Sequence, residues 1–583
     1  MAEMIKVTVN GKTVEVEKGS SVLDACYAAN VDIPRLCFLK GINETSACRL
    51  CVVEIEGIRT LKNSCCVEAT DGMVVKTNTE RVRKAVVANL KLLAANHRFE
   101  CWKCPREHNC EFLKLLRKYQ IDNKIAEDAA HVKKTFVENF SDAIAIDSSK
   151  CVLCGRCISA CEKQAGLGIL NYNKRGSKTY VGPAGNYPIE EAGCIFCGKC
   201  IQACPTGALK EKDDIAIAES FIENPDYYTV VTCAPSVRAA LGEEFGMPIG
   251  TNVEGKMFHA FRLLGFDDLT DVNFGADVTI MEEGTELIHR ITNNETLPMF
   301  TSCSPGWIRF IERYYPEFLP HLSTTKSPQQ IQGAITKSYY AELLGKDPSK
   351  IKVISVMPCI AKKYEAKRPE MENNGERNID VVLTTRELAR MIKMNDIDFV
   401  NLEDEIPTSP IAQYTGAGLI FGATGGVMEA ALRTVYNVVE GKSLAPLDLH
   451  EVRGVKDIKE ATIKLGGKDV TVAVVHGAVN FPAMLQLVKE NPNKYTFVEF
   501  MACTGGCVNG GGQPVVSAKV QDRIDVRAER AKALYKGDSK MTLRQSHENP
   551  ALIKMYKDYF DNTPGGHLAH ELLHTSYSKK KVY

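Results

Sequence analysis

The 583-residue chain has no net charge, because 72 Lys and Arg balance 72 Asp and Glu. Without a global field, neither nucleic acid nor an anionic membrane is a favoured partner, and small substrates or protein partners are expected instead. There is no apolar run of about 18 residues or more, so no transmembrane helix is expected. The start, MAEMIKVTVN, has no apolar core segment of the kind a secretory leader needs, and a cytoplasmic protein is expected. No low-complexity block and nothing resembling a flavin or NAD site occurs. What abounds is cysteine: 22 residues, most of them in tight CxxC groups. Disulfide scaffolds belong to small secreted chains, so metal–thiolate binding is the better reading here. The length suits roughly three to five domains.

Ile5, Val7 and Val9 alternate with polar residues, Asn10-Gly11 supplies a turn, and Val14 and Val16 resume the alternation, which predicts a β-hairpin. Ser20 or Ser21 can cap a short helix through Ala29. A helical, Lys/Arg-dotted stretch follows from about Arg81 to Asn96, and charged sequence from about Lys114 to Asp147 reads as a connector. Two copies of one cysteine pattern, at 151–161 and 194–204, are the internal repeat. Beyond Pro205, short apolar runs (Thr229–Thr232, Lys352–Val356, Val470–Val475) alternate with helical patterns and Gly-rich turns, as in an α/β domain. From about Asp522 the chain reads as helical and polar, with a basic tail at Lys579–Lys581.

Cys151, Cys154, Cys157 and Cys161 form CxxCxxCxxxC, and Cys194, Cys197, Cys200 and Cys204 repeat it, followed by Pro205. This is the bacterial ferredoxin run, in which the fourth cysteine of each copy ligates the other 4Fe–4S cluster. Cys151, Cys154, Cys157 and Cys204 are therefore expected on one cubane, and Cys194, Cys197, Cys200 and Cys161 on the other. Zinc also suits CxxC pairs, but two complete copies with the terminal proline favour iron–sulfur. Cys37, Cys48, Cys51 and Cys65 resemble the 2Fe–2S loop of plant-type ferredoxins with a longer first gap. Cys66 is the alternative to Cys65, and the spacing to Asp71-Gly72-Met73, which resembles that of related domains, favours Cys65. His97, Cys101, Cys104 and Cys110 resemble a three-cysteine, one-histidine cubane site beside such a domain. A neutral His ligand should raise that cluster's potential relative to four thiolates. The plain alternative is an ordinary helix-end histidine at 97. Four accessory clusters make sense as a path for single electrons.

Three further segments, TSCSPGW (Thr301–Trp307), MPCIAKKYE (Met357–Glu365) and EFMACTGGCVNGGG (Glu499–Gly512), closely resemble the motifs that hold the active-site cluster of FeFe-hydrogenases, the monomeric clostridial type above all. The resemblance covers nearly the whole chain. It implies an α+β multidomain protein. Its parts are a β-grasp 2Fe–2S ferredoxin domain at 1–78, a small helical Cys3His cluster domain at 79–125 and a double 4Fe–4S ferredoxin domain at 140–209. A large α/β catalytic domain at 210–520 and a small-subunit-like helical segment at 521–583 complete it.

The implied reaction is the reversible conversion of two protons and two electrons to H2. Its cofactors are an H-cluster (a 4Fe–4S cubane joined to a two-iron unit with CO, cyanide and a bridging dithiolate), three accessory 4Fe–4S clusters and one 2Fe–2S cluster. The implied partners are ferredoxin or a similar small electron carrier, and maturation proteins that build the two-iron unit. By motif position, Cys359 and Cys503 hold the cubane and Cys507 bridges to the two-iron unit. Lys362 and Ser236 contact small ligands of the irons, and Met357, Met501 and Phe421 pack around them. Cys303, Glu283, Ser323, Glu286 and Arg290 match a proton relay, with Glu283 and Glu286 three apart and so on one helical face. Exposed carboxylates are the plain alternative for that pair.

One position departs from the family. Where a second cysteine ligates the cubane, this chain has Ser304. A hydroxyl holds its proton far more tightly than a thiol and is a harder ligand than iron–sulfur clusters favour, so reduced activity is expected. HELLH at His570–His574 matches a zinc-protease string but has no third ligand downstream. GAGLIFGATGG (Gly416–Gly426) lacks nucleotide-loop spacing and reads as close packing. Cys26 and Cys66 read as buried free thiols, and Cys233, beside Ala234-Pro235-Ser236, leaves a place at the site open. Two rival readings remain. One is the hydrogenase subunit of an electron-bifurcating NAD-linked complex, which would need other subunits. The other is an iron–sulfur electron-transfer protein without hydrogen chemistry.

Overall fold

The structure is a computed structural model and describes residues 3–122, 137–139, 141–454 and 456–582. Two compact units are built from interleaved segments. The first takes Met1–Ala192, Lys199–Lys210 and Val515–Arg523; the second takes Gly193–Gly198, Glu211–Pro514 and Ile524–Tyr583.

In the first unit the hairpin forms as its alternation predicts. Met4–Val9 pairs antiparallel with Lys12–Glu17, and Asn10 and Gly11 both take positive φ, as a two-residue turn requires. Ser21 and Asp24 cap the Val22–Ala28 helix reciprocally. The hairpin belongs to a five-stranded sheet with Val52–Ile55, Lys62–Asn63 and Met73–Lys76. Thr79 caps the Glu80–Ala94 helix, whose buried Val82, Val86, Leu90 and Ala94 pack with Phe112, Leu115 and Leu116 of a second helix, Glu111–Lys118. That second helix corrects the connector reading at its start, because an apolar stripe under the lysines gives it a face to bury. Ile144–Asp147 corrects its end, pairing antiparallel with Val137–Glu138. Residues 123–136 and 140 of the expected connector lie outside the described residues. The cysteine repeat recurs in the backbone: Leu153 and Phe196 take φ near +55°, each followed two residues on by a positive-φ glycine, Gly155 and Gly198.

The second unit holds two four-stranded sheets. One is wholly parallel, in the order Asp268–Asp271, Tyr228–Cys233, Ile351–Met357, Val381–Thr384. Its strands are almost continuously buried, and Ile351–Met357 and Val381–Thr384 are mostly apolar as well, as a parallel sheet covered on both faces demands. The other has Met299–Phe300, Phe497–Met501 and Lys468–His476 in parallel, with Ile458–Leu465 antiparallel at its edge. TSCSPGW, MPCIAKKYE and the cysteines of EFMACTGGC each leave the carboxyl end of a parallel strand, where open α/β sheets place their ligands. Among the described residues, no helix is long and apolar enough to cross a membrane.

The C-terminal region is helical as expected but not simply polar. Leu552, Met555, Tyr556, Leu572 and Leu573 pack with Phe274, Val278 and Ile331 in one buried cluster. Cys66 is also corrected: it is exposed, unlike buried Cys26. The glycine-rich stretch is close packing, since a Cβ on Gly426 would lie 1.8 Å from the Ile420 carbonyl oxygen and one on Gly425 2.0 Å from that of Val452.

Buried ion pairs fix the motif segments. Arg368, just beyond MPCIAKKYE, makes a fork to Glu312 at 2.9 and 2.7 Å, and Glu312 sits on the Pro305–Tyr314 helix that TSCSPGW opens. Both side chains are buried. Lys363 meets Asp214 at 2.6 Å and Glu387 at 3.0 Å. Breaking a buried pair strands the surviving charge. Arg368→Ala should therefore destabilise the second unit by about 3–5 kcal/mol, measured by denaturant unfolding, while an exposed-pair control, Lys489→Ala, should cost under about 1 kcal/mol. Equal losses in the two variants would refute this role for Arg368.

Candidate active site

In the first unit, Cys37, Cys48, Cys51 and Cys65 are all buried. The Cys51 and Cys65 sulfurs lie 3.2 Å apart, and the Leu36 amide points at the Cys48 sulfur at 3.4 Å. Exposed Cys66 points at the Glu44 carbonyl at 3.4 Å. His97, Cys101, Cys104 and Cys110 line one small cavity. The His97 ring is set there by edge contacts with Phe99 and Phe112. Burial pushes the Cys110 thiol up to about 11. Cys151, Cys154, Cys157 and Cys204 line another cavity with Pro205, so the fourth cysteine of the second repeat joins the first three of the first. Of the remaining ferredoxin-type cysteines, Cys161 and Cys200 belong to the first unit and Cys194 and Cys197 to the second.

In the second unit one cavity gathers Cys303, Ser304, Cys359, Lys362, Cys503 and Cys507 with Met357, Met501 and Phe421. Gln329, Pro235 and Cys197 also line it. Ser236 is not among the lining residues; it is fully buried behind Ala234 and Pro235, and the Gln513 amide donates to its carbonyl at 2.9 Å. Cys233 turns away, with its sulfur 3.2 Å from that of Met257.

Backbone comes very close around the third motif. A Cβ on Gly511 would lie 2.5 Å from the Cys197 carbonyl oxygen, and one on Gly506, at φ +88°, 2.5 Å from the Thr424 nitrogen. Only glycine fits such approaches. Burial, then the neighbouring Cys503, pushes Cys507 up to about 12, and the same causes raise Cys359. Thiols so enclosed become thiolates only beside a cation. Soft sulfur donors walled by methionine and phenylalanine fit an iron–sulfur group at three positions, with the Ser304 hydroxyl at the fourth. The Ala502 amide points at that hydroxyl oxygen at 3.4 Å.

Lys362 donates to both oxygens of Glu365, at 3.0 and 2.8 Å, and to the Cys303 carbonyl at 3.1 Å. Glu365 also accepts from Ser327 at 2.9 Å and Gln329 at 3.1 Å. From the cavity a line of groups runs outward beside the Val272–Asn293 helix. Cys303 is buried and its thiol is raised by burial and by the charge of Glu283. Glu283 is itself buried, and neither carboxylate oxygen has a hydrogen-bond partner among the described residues. The Ser323 hydroxyl donates to Glu286 at 2.9 Å, and Arg290 donates to Glu286 at 2.6 Å.

Several supporting residues had no role assigned from the sequence. Glu365 and Gln329 position Lys362, and an i,i+3 pair inside MPCIAKKYE was the available signal for the first. Glu499 accepts from the Gly425 and Met428 amides at 2.7 and 2.8 Å, tying the third motif to a helix N-terminus. His476, held neutral near about 4 by burial and the charge of Lys459, faces the Gly505 amide at 3.3 Å. In HELLH, His574 has its ring nitrogens 3.0 Å from Glu282 and 2.8 Å from Thr324, so it is engaged as a structural tie. The acidic trio Glu429, Asp448 and Asp538 is answered by Arg433, Arg453 and Arg544 at 2.6–2.9 Å.

Comparison with known proteins gives five family matches. They are "Iron only hydrogenase large subunit, C-terminal domain" over 227–511 and "Iron hydrogenase small subunit" over 524–580. A "2Fe-2S iron-sulfur cluster binding domain" matches 2–80, an "Iron hydrogenase 1-like, iron-sulfur centre-binding domain" 80–121, and a "4Fe-4S dicluster domain" 150–208. Iron hydrogenase 1 of Clostridium pasteurianum is 44% identical, covering 99% of this chain and 100% of its own. The NADP-reducing hydrogenase subunit HndD of Solidesulfovibrio fructosivorans is 42% identical, covering 99% of each. A solved variant of the HydA1 hydrogenase from Chlamydomonas reinhardtii is 38% identical, with a TM-score of 0.57, covering 64% of this chain and all of that one.

Burial first, and the charge of Glu286 second, push Glu283 up to about 8. A carboxyl raised above its ordinary value near 4.3 favours folding while it keeps its proton. That stability is full below about pH 4 and drains away as pH rises to about 8. In the metal-free protein, the melting temperature should therefore fall more between about pH 5 and pH 8 than it does in Glu283→Gln. Parallel pH profiles would refute the shift.

Proposed function

The chain belongs to the FeFe-hydrogenase family and is an oxidoreductase that oxidises hydrogen or reduces protons, and from that premise we propose which of its residues do the work. The convergence of three strand-end motifs on one apolar cavity carries the reading. Cys359, Cys503 and Ser304 would hold the cubane of the H-cluster, and Cys507 would bridge to the two-iron unit. When bound, the H-cluster supplies the two-electron redox chemistry. Lys362, braced by Glu365, offers a positive donor to its small ligands, and Met357, Met501 and Phe421 exclude water, while Ser236 stands behind the cavity wall held by Gln513. Protons pass between the cavity and solvent by Cys303, Glu283, Ser323, Glu286 and Arg290. The hydrogen bonds among the last three are already short, while buried Glu283 holds its proton at neutral pH and can release it.

The accessory domains bind 2Fe–2S and 4Fe–4S clusters. In finer detail we assign a β-grasp 2Fe–2S domain at 1–78 using Cys37, Cys48, Cys51 and Cys65. The Cys3His domain at 79–125 follows, then two ferredoxin cubanes at 140–209, the catalytic domain at 210–520 and the helical segment at 521–583. This gives one 2Fe–2S and three 4Fe–4S accessory clusters, a ferredoxin-type carrier, maturation proteins for the two-iron unit, and a cytoplasmic monomer. The whole-length match to a NADP-reducing hydrogenase subunit supports a second reading, in which the chain works inside a larger complex. Gel filtration of the native protein separates the two.

Ser304 limits this site. The cavity already holds the other donors, so restoring a thiolate changes one ligand and little else. Ser304→Cys should raise both iron content and hydrogen evolution, the latter by about tenfold or more, equivalent to roughly 1.4 kcal/mol. An unchanged rate at full iron loading would refute the claim that this position limits turnover.

A further inference from the structure

HELLH at His570–His574 has no part in the active-site reading, yet its last histidine lies one hydroxyl away from the proposed proton relay. His574 is buried, and both of its ring nitrogens are engaged. Nε2 lies 3.0 Å from Glu282 Oε2. That carboxylate is fully buried and already takes hydrogen bonds from the Tyr556 hydroxyl and the Gly565 amide. A carboxylate can only accept, so Nε2 carries a hydrogen. Nδ1 lies 2.8 Å from Thr324 Oγ1, and the same hydroxyl oxygen lies 3.3 Å from Glu286 Oε2.

Thr324 thus has one hydroxyl hydrogen and two acceptors for it. While His574 is neutral, Nδ1 is a bare acceptor and the hydroxyl points at it across the shorter distance. A second proton on the ring turns Nδ1 into a donor. The hydroxyl then accepts from Nδ1, and its own hydrogen turns to Glu286. Glu286 already accepts from Ser323 at 2.9 Å, the Thr324 amide at 3.0 Å and Arg290 at 2.6 Å. It would gain one more donor and a nearby positive charge, and both weaken a carboxyl's hold on a proton. Other charged and titratable groups surround the ring. Exposed His570, one turn earlier, stacks on it with ring centroids 4.1 Å apart. Burial first, then the charge of His574, pulls His570 down from its ordinary value; Glu282 and Glu286 oppose that fall and His289 adds to it. Glu282, Glu286, His289 and Arg290 belong to the Val272–Asn293 helix, and exposed Glu571 lies on His570's own helix. Lys326, pushed down to about 8 by burial, donates to the Leu572 carbonyl at 2.9 Å.

We propose that His574 and Thr324 are positioning residues for the proton relay: the charge on His574 decides whether the Thr324 hydroxyl serves His574 or Glu286, and so sets how tightly the relay's outer carboxylate holds a proton. The inference rests on the reading that Glu286 belongs to the relay. No covalent bond forms or breaks in the switch, because the hydroxyl keeps its hydrogen and only turns it. Carboxyls ordinarily take up protons at lower pH than imidazoles do. The hydroxyl therefore faces Glu286 in acid, when Glu286 is about to be protonated, and keeps it able to accept the next proton from Ser323.

The test is a pH titration of the full chain with its clusters loaded, followed by infrared absorption of protonated carboxyl groups, with the Glu286 band assigned by its loss in Glu286→Gln. Thr324→Val keeps the side-chain shape and the backbone amide but removes the hydroxyl. It should raise the titration midpoint of that band by about one pH unit, the size of a hydrogen bond to a charged group. Thr324→Ser restores a hydroxyl and should stay within about 0.3 unit of the unsubstituted chain. His574→Gln keeps a donor for Glu282 but cannot take up a charge, and should also raise the midpoint. An unmoved midpoint in Thr324→Val, or an equal rise in Thr324→Ser, would overturn the proposal. If Thr324→Val does not fold, His574→Gln decides alone, and an unmoved midpoint there overturns it as well. The rate of hydrogen oxidation by Glu286→Gln tests the underlying reading separately. An unchanged rate would remove Glu286 from the relay, while the midpoint shifts would still establish the coupling of His574 to Glu286 through Thr324.

Discussion

Cys359, Cys503 and Cys507 sit around one cavity walled by Met357, Met501 and Phe421, and the cost of charge in that enclosure governs the C-terminal unit. Sulfur donors crowded into this wall are poor thiolates on their own, as the upward push on Cys359 and Cys507 shows. They become stable only against positive charge, which bound iron supplies. The one cation the chain places there, Lys362, is already neutralised by Glu365 at 2.8 Å. The protein therefore adds directed hydrogen bonding to the cavity without adding net charge, and leaves the electrostatic requirement to the metal group. The surrounding frame answers the same need for rigidity. Arg368 clamps Glu312, and Arg309 lies over the adjacent rings of Phe196 and Tyr364, 4.3 Å from each.

That enclosure creates the problem the proton path solves. A cavity dry enough to strengthen electrostatics is cut off from solvent protons. The Val272–Asn293 helix addresses this by carrying its polar groups along one face. Val272 and Ala276 line the cavity, and Glu283, Glu286 and Arg290 follow over about 20 Å of helix. Glu283 has Ser323 and the Ser302 backbone nearby but no well-formed hydrogen bond, whereas Glu286 accepts from Ser323, Arg290 and the Thr324 amide. His574 braces Glu282 and Thr324, so the zinc-protease-like string supports the back of this relay.

Much of the chemistry was legible before any fold, because iron–sulfur clusters favour cysteine ligands at spacings set by the cluster. The crossing of Cys204 to Cys151, Cys154 and Cys157 followed from the ferredoxin spacing, and the three strand-end motifs from their cysteines. What stayed hidden was support that any polar residue could supply. Gln329, Glu499 and His476 gain their roles from neighbours distant in sequence, and no spacing announces them; Glu365 was announced only by its place three residues after Lys362. Cys66 was misread because burial depends on which of two adjacent thiols turns inward, and here it is Cys65. The Glu111–Lys118 helix was hidden by its lysines, since charge on the outer face drew attention from the stripe of Phe112, Leu115 and Leu116 beneath. The C-terminal helices were undervalued for the same reason.

Ser304 shows how a local change can be confined by its surroundings. It occupies the N-cap position of the Pro305–Tyr314 helix, yet its side chain makes no capping hydrogen bond. The oxygen instead meets the Ala502 amide. A serine at an N-cap would ordinarily satisfy its own helix, so its orientation follows from the cavity wall rather than from helix chemistry. Pro305 and the close approach of Gly306 to the Ala502 Cβ, 2.9 Å from a Cβ built there, hold the backbone against moving to compensate. A shorter, harder donor on a fixed backbone has to be accommodated by whatever binds in the cavity. The departure therefore acts on the electronic and geometric demands of the fourth ligand, while the scaffold that presents the other three is left as it was.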